Sequence, residues 1–235
     1  MQKQSQSLFR RAVLICTAAT AVCLAAGTRA DPLVGTGWSA PPPGDENVGV
    51  TVTNPSIAYN GAAGGFTGFF NGNPILFWCY QLDQSFGFNV TYDDYTAQTI
   101  SDPANAALSE LFTEVGGPAN VITSDLLSVA FQLAVWEIKY ESGGPFDLFS
   151  GNFQVTSGAS ATTTQAQTWL NNLGSIQGYT ITLLHSDSAQ DFVMGVPKPP
   201  KQELPEPSAL LLLGLGLATM FAVTRRRGSL AQGML

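Results

Sequence analysis

Residues able to do chemistry are few in this chain. Cys79, in ILFWCYQLDQ (75–84), is the one cysteine expected to remain after export, because Cys16 and Cys23 lie in an N-terminal leader. A single thiol closes no internal disulfide, so Cys79 is either a small apolar core residue or a nucleophile. His185 is the only histidine, with Asp187 close by. A Ser–His–Asp site would have to use it, yet no GxSxG-type nucleophile turn is present, and a structural histidine is expected. One histidine and one cysteine exclude the usual zinc sets. Asp83, Asp93, Asp94, Asp187 and Asp191 would have to meet around calcium, but no D-x-D-x-D-G loop exists, so these residues are expected in solvated loops. Glu137 beside Trp136 has no partner carboxylate that the sequence identifies. No enzyme activity, metal or other cofactor is expected.

The elements that position these residues form an α+β domain, mainly antiparallel β and sandwich- or barrel-like, with a two-helix insertion. NVGVTVTN (47–54) alternates apolar and polar residues as a half-buried strand does. GGFTGFF (64–70) and NPILFWCYQLD (73–83) follow across turns rich in Gly and Asn. The second is apolar on both faces, which predicts a central strand with Cys79 buried. SDLLSVAFQLAVWEIKYESGGP (124–145) predicts a helix over about 124–142. Ser124 caps its first turn, Asp125 complements its dipole, and Gly143-Gly144-Pro145 ends it. Leu127, Phe131, Ala134 and Ile138 line one face. A second helix is predicted over 163–173, on the stripe Ala166, Trp169, Leu170 and Leu173. GYTITLLHS (178–186) and QDFVMGV (190–196) restore the strand pattern.

The helix segment AFQLAVWEI (130–138) resembles the glutamine motif of bacterial surface thioester domains, in which a Gln precedes a short apolar stretch ending in Trp. In those adhesin domains a strand cysteine flanked by aromatics condenses with the Gln side chain and expels ammonia. The resemblance implies that Cys79 is the sulfur partner and Gln132 the acyl partner, 53 residues apart. It also implies an aromatic shield against water, assigned to Trp78, Tyr80, Phe131 and Trp136. This chain departs from the adhesin pattern at Phe131, where Thr is common, and directly after Cys79.

Both ends of the chain read as addresses. Lys3, Arg10 and Arg11 precede the apolar run 12–26, and Thr28-Arg29-Ala30 offers small residues where signal peptidase acts, so residues 1–30 are expected to leave by cleavage between Ala30 and Asp31. The extracytoplasmic domain is expected over 31–196. At the other end, 197–207 is a proline-rich, extended linker. Residues 208–224 are almost wholly apolar, about the shortest length for a membrane-spanning helix. Residues 225–235 form a tail whose Arg225, Arg226 and Arg227 favour the cytoplasm. Pro205-Glu206-Pro207, followed by the apolar run and the arginines, resembles the PEP-CTERM sorting signal. That resemblance implies processing by an exosortase, a membrane protease with a cysteine nucleophile. LPEPS (204–208) also has the outline of the LPxTG sortase signal but lacks its Thr and Gly.

Fifteen Asp and Glu between 31 and 196 face one base, Lys139, a formal charge of −14. Such a surface repels phosphate backbones and excludes nucleic-acid binding. The resulting expectation is an exported protein, anchored in the inner membrane as an intermediate and then held at the cell surface, outer membrane or extracellular matrix. Its domain is either an adhesin-like module with a Cys79–Gln132 thioester that takes surface amines, or a noncovalent structural or exopolysaccharide-binding component of a biofilm matrix.

Overall fold

A computed structural model describes residues 29–200, apart from 102 and 142. Residues 1–28 of the expected leader, the apolar run 208–224, the sorting residues Pro205, Glu206 and Pro207, and Arg225, Arg226 and Arg227 lie outside the described residues, whereas Ala30 and Asp31 of the expected cleavage junction lie within them. No helix among the described residues is long and apolar enough to cross a membrane.

Thirteen elements follow in order among the described residues. The strands are β1 (Asp31–Trp38), β2 (Glu46–Val52), β3 (Ile57–Ala63), β4 (Gly65–Phe70), β5 (Asn73–Cys79), β6 (Thr91–Gln98), β7 (Phe153–Ser157), β8 (Tyr179–His185) and β9 (Phe192–Pro197). The helices are α1 (Ala104–Glu114), α2 (Pro118–Val121), α3 (Asp125–Tyr140) and α4 (Ser160–Asn171). Six strands close an antiparallel barrel in the order β1-β4-β5-β9-β8-β6, and β3-β2-β7 form a separate sheet. The expected β-rich α+β class holds, but the insertion of two helices is corrected. α1 and α2 precede α3, and β7 separates α3 from α4.

Pleating divides the core in two. On β5, Phe77 points into the barrel and meets Phe192 edge-on at 4.8 Å and Phe66 at 5.5 Å. Its neighbour Trp78 points outward to the helices, against Phe131 at 4.8 Å and Phe112 at 6.0 Å. Trp78, Phe112 and Phe131 are all fully buried. Small residues let the strands close. A Cβ on Gly68 would run into the Val34 carbonyl oxygen, so β4 approaches β1 there as only glycine permits.

α3 is buried along eleven consecutive residues, Ser128 to Ile138. The single apolar stripe expected from spacing is therefore too narrow: the helix lies between the barrel and the small sheet, with α1 and α4 beside it. A helix covered all round is the partner that β5, apolar on both faces, requires. Ser124 caps it as expected, its hydroxyl accepting from the Leu127 N–H at 3.3 Å. The other expectation for β5 is half right. It pairs with β4 from Asn73 to Trp78 but with β9 at two positions, Trp78↔Val193 and Cys79↔Phe192. Towards Asn73 the two strands separate, leaving an open groove of about 390 Å³ lined by Ile75, Leu76, Met194 and Val196.

Because every neighbour in the barrel is antiparallel, its two ends are well defined. β5 finishes, and β4 and β9 start, at the end that holds Cys79. β9 finishes at the opposite end, where the chain leaves towards the linker.

Candidate functional site at the Cys79–Gln132 junction

The junction forms where β4 gives out. The last β4–β5 pair is Gly65↔Trp78, so the main-chain groups of Cys79 on that side have no strand to bond. Gln132 of α3 takes the place of the missing strand. The Cys79 N–H donates to Gln132 Oε1 at 2.9 Å, and Gln132 Nε2 donates to the Cys79 carbonyl oxygen at 2.7 Å. On the next residue the direction alternates, and the Tyr80 N–H donates to the Asp191 carbonyl oxygen on the β9 side at 2.8 Å. One helical turn before Gln132, Ser128 does the same work for β4, its Oγ accepting from the Gly65 N–H at 2.8 Å. Ser128 and Gln132 are both fully buried. Their spacing of four on one helix face matches two neighbouring strand ends.

Both expected thioester partners therefore lie in direct contact through main chain and side chain. The Cys79 N–H polarises the Gln132 carbonyl, as an oxyanion donor would. Burial pushes the Cys79 thiol pKa up, so the sulfur is held as a thiol and not as a thiolate.

The four residues expected to shield the pair fall in three places and do not form one wall. Trp78 and Phe131 pack in the outer aromatic layer with Phe112. Trp136 instead lines a cavity of about 300 Å³ that reaches Cys79, together with Trp38, Tyr59, Phe66 and Phe88. Tyr59 meets Trp136 edge-on at 5.6 Å and donates its hydroxyl to the Ala62 carbonyl at 2.6 Å. Its pKa is pushed up to about 12, first by burial and then by the nearby Cys79 and Asp45 groups. Tyr80 lies under the Lys139 ammonium, 4.4 Å from its ring centre. Burial lowers the Lys139 pKa, against the opposing pull of Asp191 and Asp83. The sequence signals missed here are Ser128, four residues before Gln132, and the loop aromatics Phe86 and Phe88, which lack any strand or helix period.

The remaining candidates fall elsewhere. His185 Nδ1 is 2.9 Å from Asp191 Oδ1 and its Nε2 is 3.3 Å from Asp187 Oδ1, so both ring nitrogens face carboxylates. The adjacent Ser186 hydroxyl donates to Asp94 at 2.8 Å. Among the described residues no three His, Cys, Asp or Glu side chains are arranged to hold a metal ion. Glu137 is buried, and its Oε1 accepts from the Asp147 N–H at 2.7 Å, while Oε2 has no partner among the described residues. Its pKa is raised to about 8, chiefly by burial, with Glu141 and Asp147 adding to the rise against the Asp147 amide. It organises the turn after α3 and does not line the Cys79 cavity.

Residues 203–227 match the PEP-CTERM protein-sorting motif. That match identifies the chain as carrying the address of an exported protein that an exosortase processes through a membrane-anchored intermediate. Neither the curated proteins nor the solved structures offer a match to this chain.

Proposed function

We propose that the domain is an adhesin-like surface module in which Cys79 and Gln132 close an internal thioester for covalent attachment. The observation that carries this reading is the anchoring of the Gln132 carboxamide on the main chain of Cys79 at 2.9 and 2.7 Å, next to the packed rings of Trp78 and Phe131. In the first step Cys79 Sγ attacks Gln132 Cδ. The S–C bond forms, the C–N bond breaks, and the nitrogen leaves as ammonia with the thiol proton. In the second step an amine attacks Cδ, an amide bond forms, the C–S bond breaks, and the proton returns to sulfur. The reaction is a single capture without turnover, so the module is not an enzyme. Preorganisation is the protein's contribution: the acyl group is held on the main chain of the residue that carries the sulfur, and aromatic neighbours limit the access of water.

Thiol counting tests the reading. The exported chain, unfolded in the presence of an alkylating reagent, is expected to show no reactive Cys79 until methylamine is added, and one thiol afterwards. Full alkylation without amine would leave Cys79 as core packing.

One observation favours a second reading. The cavity beside Cys79 has six aromatic residues, Trp38, Tyr59, Phe66, Phe86, Phe88 and Trp136, in its wall and no charged residue. Such a lining suits stacking on a neutral sugar ring, and a noncovalent exopolysaccharide-binding matrix protein would use it without any thioester. Quenching of tryptophan emission by added polysaccharide in a Cys79→Ala variant, and its loss in Trp38→Ala, is the expected mark of that reading.

A further inference from the structure

We propose that the barrel end from which the linker leaves rests on the lipid surface of the membrane that anchors the chain, with Phe69, Ile176 and Val196 in the interfacial layer. The inference rests on the membrane-anchored intermediate and is independent of the thioester. Three observations carry it. First, of the six large apolar side chains exposed among the described residues, these three are grouped at this end: Phe69 at the close of β4, Val196 at the close of β9, and Ile176 in the loop before β8 starts. Ile176 is 72% exposed and Val196 51%. Second, the open groove between β5 and β9 begins here and offers Ile75, Leu76 and Met194 to apolar chains. Third, bases stand beside this end, although Asp31 opens β1 here as well. Asp83, Asp187 and Asp191 follow or join the strand ends on the Cys79 side. Lys198 and Lys201 follow β9 in sequence, the first bases after Lys139.

Chain length permits the contact. Ser208, where the apolar run begins, comes eleven residues after Pro197. Extended at ~3.1 Å per residue, this linker reaches roughly 34 Å at most, and any bend brings the barrel to the headgroups. Apolar side chains beside lysines are the composition that settles at a lipid interface, the lysine stems lying along the surface with their charges in water. Zwitterionic lipid is the partner that an acidic domain tolerates, since anionic headgroups would repel its −14 formal charge. In this orientation the Cys79 cavity opens at the far end of the barrel, away from the membrane.

The test uses the full mature chain in a Cys79→Ala background, inserted through its own tail into phosphatidylcholine vesicles. An environment-sensitive dye is placed at Ile176→Cys or, as control, at Phe149→Cys, which is 60% exposed but lies in the turn after α3. The expected result is a blue-shifted emission for the Ile176 label, quenched by a lipid-borne quencher, and a water-like emission for the Phe149 label. Adding Phe69→Ser and Val196→Ser should abolish the shift while circular dichroism is unchanged. Vesicle flotation with a water-like Ile176 label would overturn the proposal alone, as would equal responses from both labels. A shift that appears solely with exosortase present would assign the face to a protein partner and overturn the lipid contact. Failure of the chain to float would overturn the anchor and this proposal together.

Discussion

The two ends of the barrel are built on opposite principles. At the Cys79 end, β4 starts and β5 finishes against α3, and two fully buried side chains, Ser128 and Gln132, bond the freed main chain. At the tether end, β5 and β9 part, and the groove between them is left open. One end is fixed by polar pins inside an aromatic layer; the other exposes apolar side chains without a partner strand. The first end therefore suits geometry-dependent chemistry, and the second suits a surface contact that needs no fixed geometry.

That contrast is open to breakage, and the largest effect should come from the aromatic layer. Trp78→Ala removes a fully buried ring from between β5 and the helices, and we expect a loss of about 3–5 kcal/mol in urea unfolding. A loss under 1 kcal/mol would mean that the helices do not clamp this end. Gln132→Leu comes next. It strands the Cys79 N–H and carbonyl in a buried site, at a cost of about 2–4 kcal/mol, whereas Ser128→Ala, with one orphaned amide, should cost about 1–3 kcal/mol.

Glu137 sharpens the comparison through pH. Its folded-state pKa, about 8, lies above the ordinary 4.5, so the folded protein holds a proton that the unfolded chain releases. Stability from this group is complete below about 4.5 and is lost as pH rises through about 8. Chemical unfolding across that window should show the decline in the wild type and a flatter profile in Glu137→Gln. Identical slopes would remove Glu137 from the pH dependence. The smallest effect is expected at the tether end, where Ile176→Ser should change stability by no more than about 0.5 kcal/mol.

Much of this architecture was legible in the sequence, and the reasons are local. α3 carries its own cap, dipole charge and stop signal, and β2, β4, β5, β8 and β9 carry alternation or apolar runs between turn residues. α1 went unread because its start has no side-chain cap, although Ala107, Leu108, Leu111 and Phe112 fall at helical spacing. β6, TYDDYTAQ, is mostly polar, with Tyr95 as its one buried residue, so nothing in its composition announces a barrel strand. Barrel closure was beyond reach because pairings such as Trp78↔Val193 join residues far apart in the chain. Cys79 and Gln132 were named from a motif resemblance. What the motif did not convey is that Gln132 stands in for a strand, since that depends on where β4 stops. The aromatic cavity was equally hidden, because Trp38, Tyr59, Phe88 and Trp136 come from four separate elements or loops.

The most direct test of the central claim is an intact mass. The mature chain from Asp31, purified without added amines, would be weighed beside its Cys79→Ala variant. The expected result is a wild-type mass short by one ammonia, no deficit in the variant, and a gain of methylamine on the wild type after treatment. A wild-type mass without the deficit would contradict it, leaving Gln132 as a strand substitute and Cys79 as part of the core.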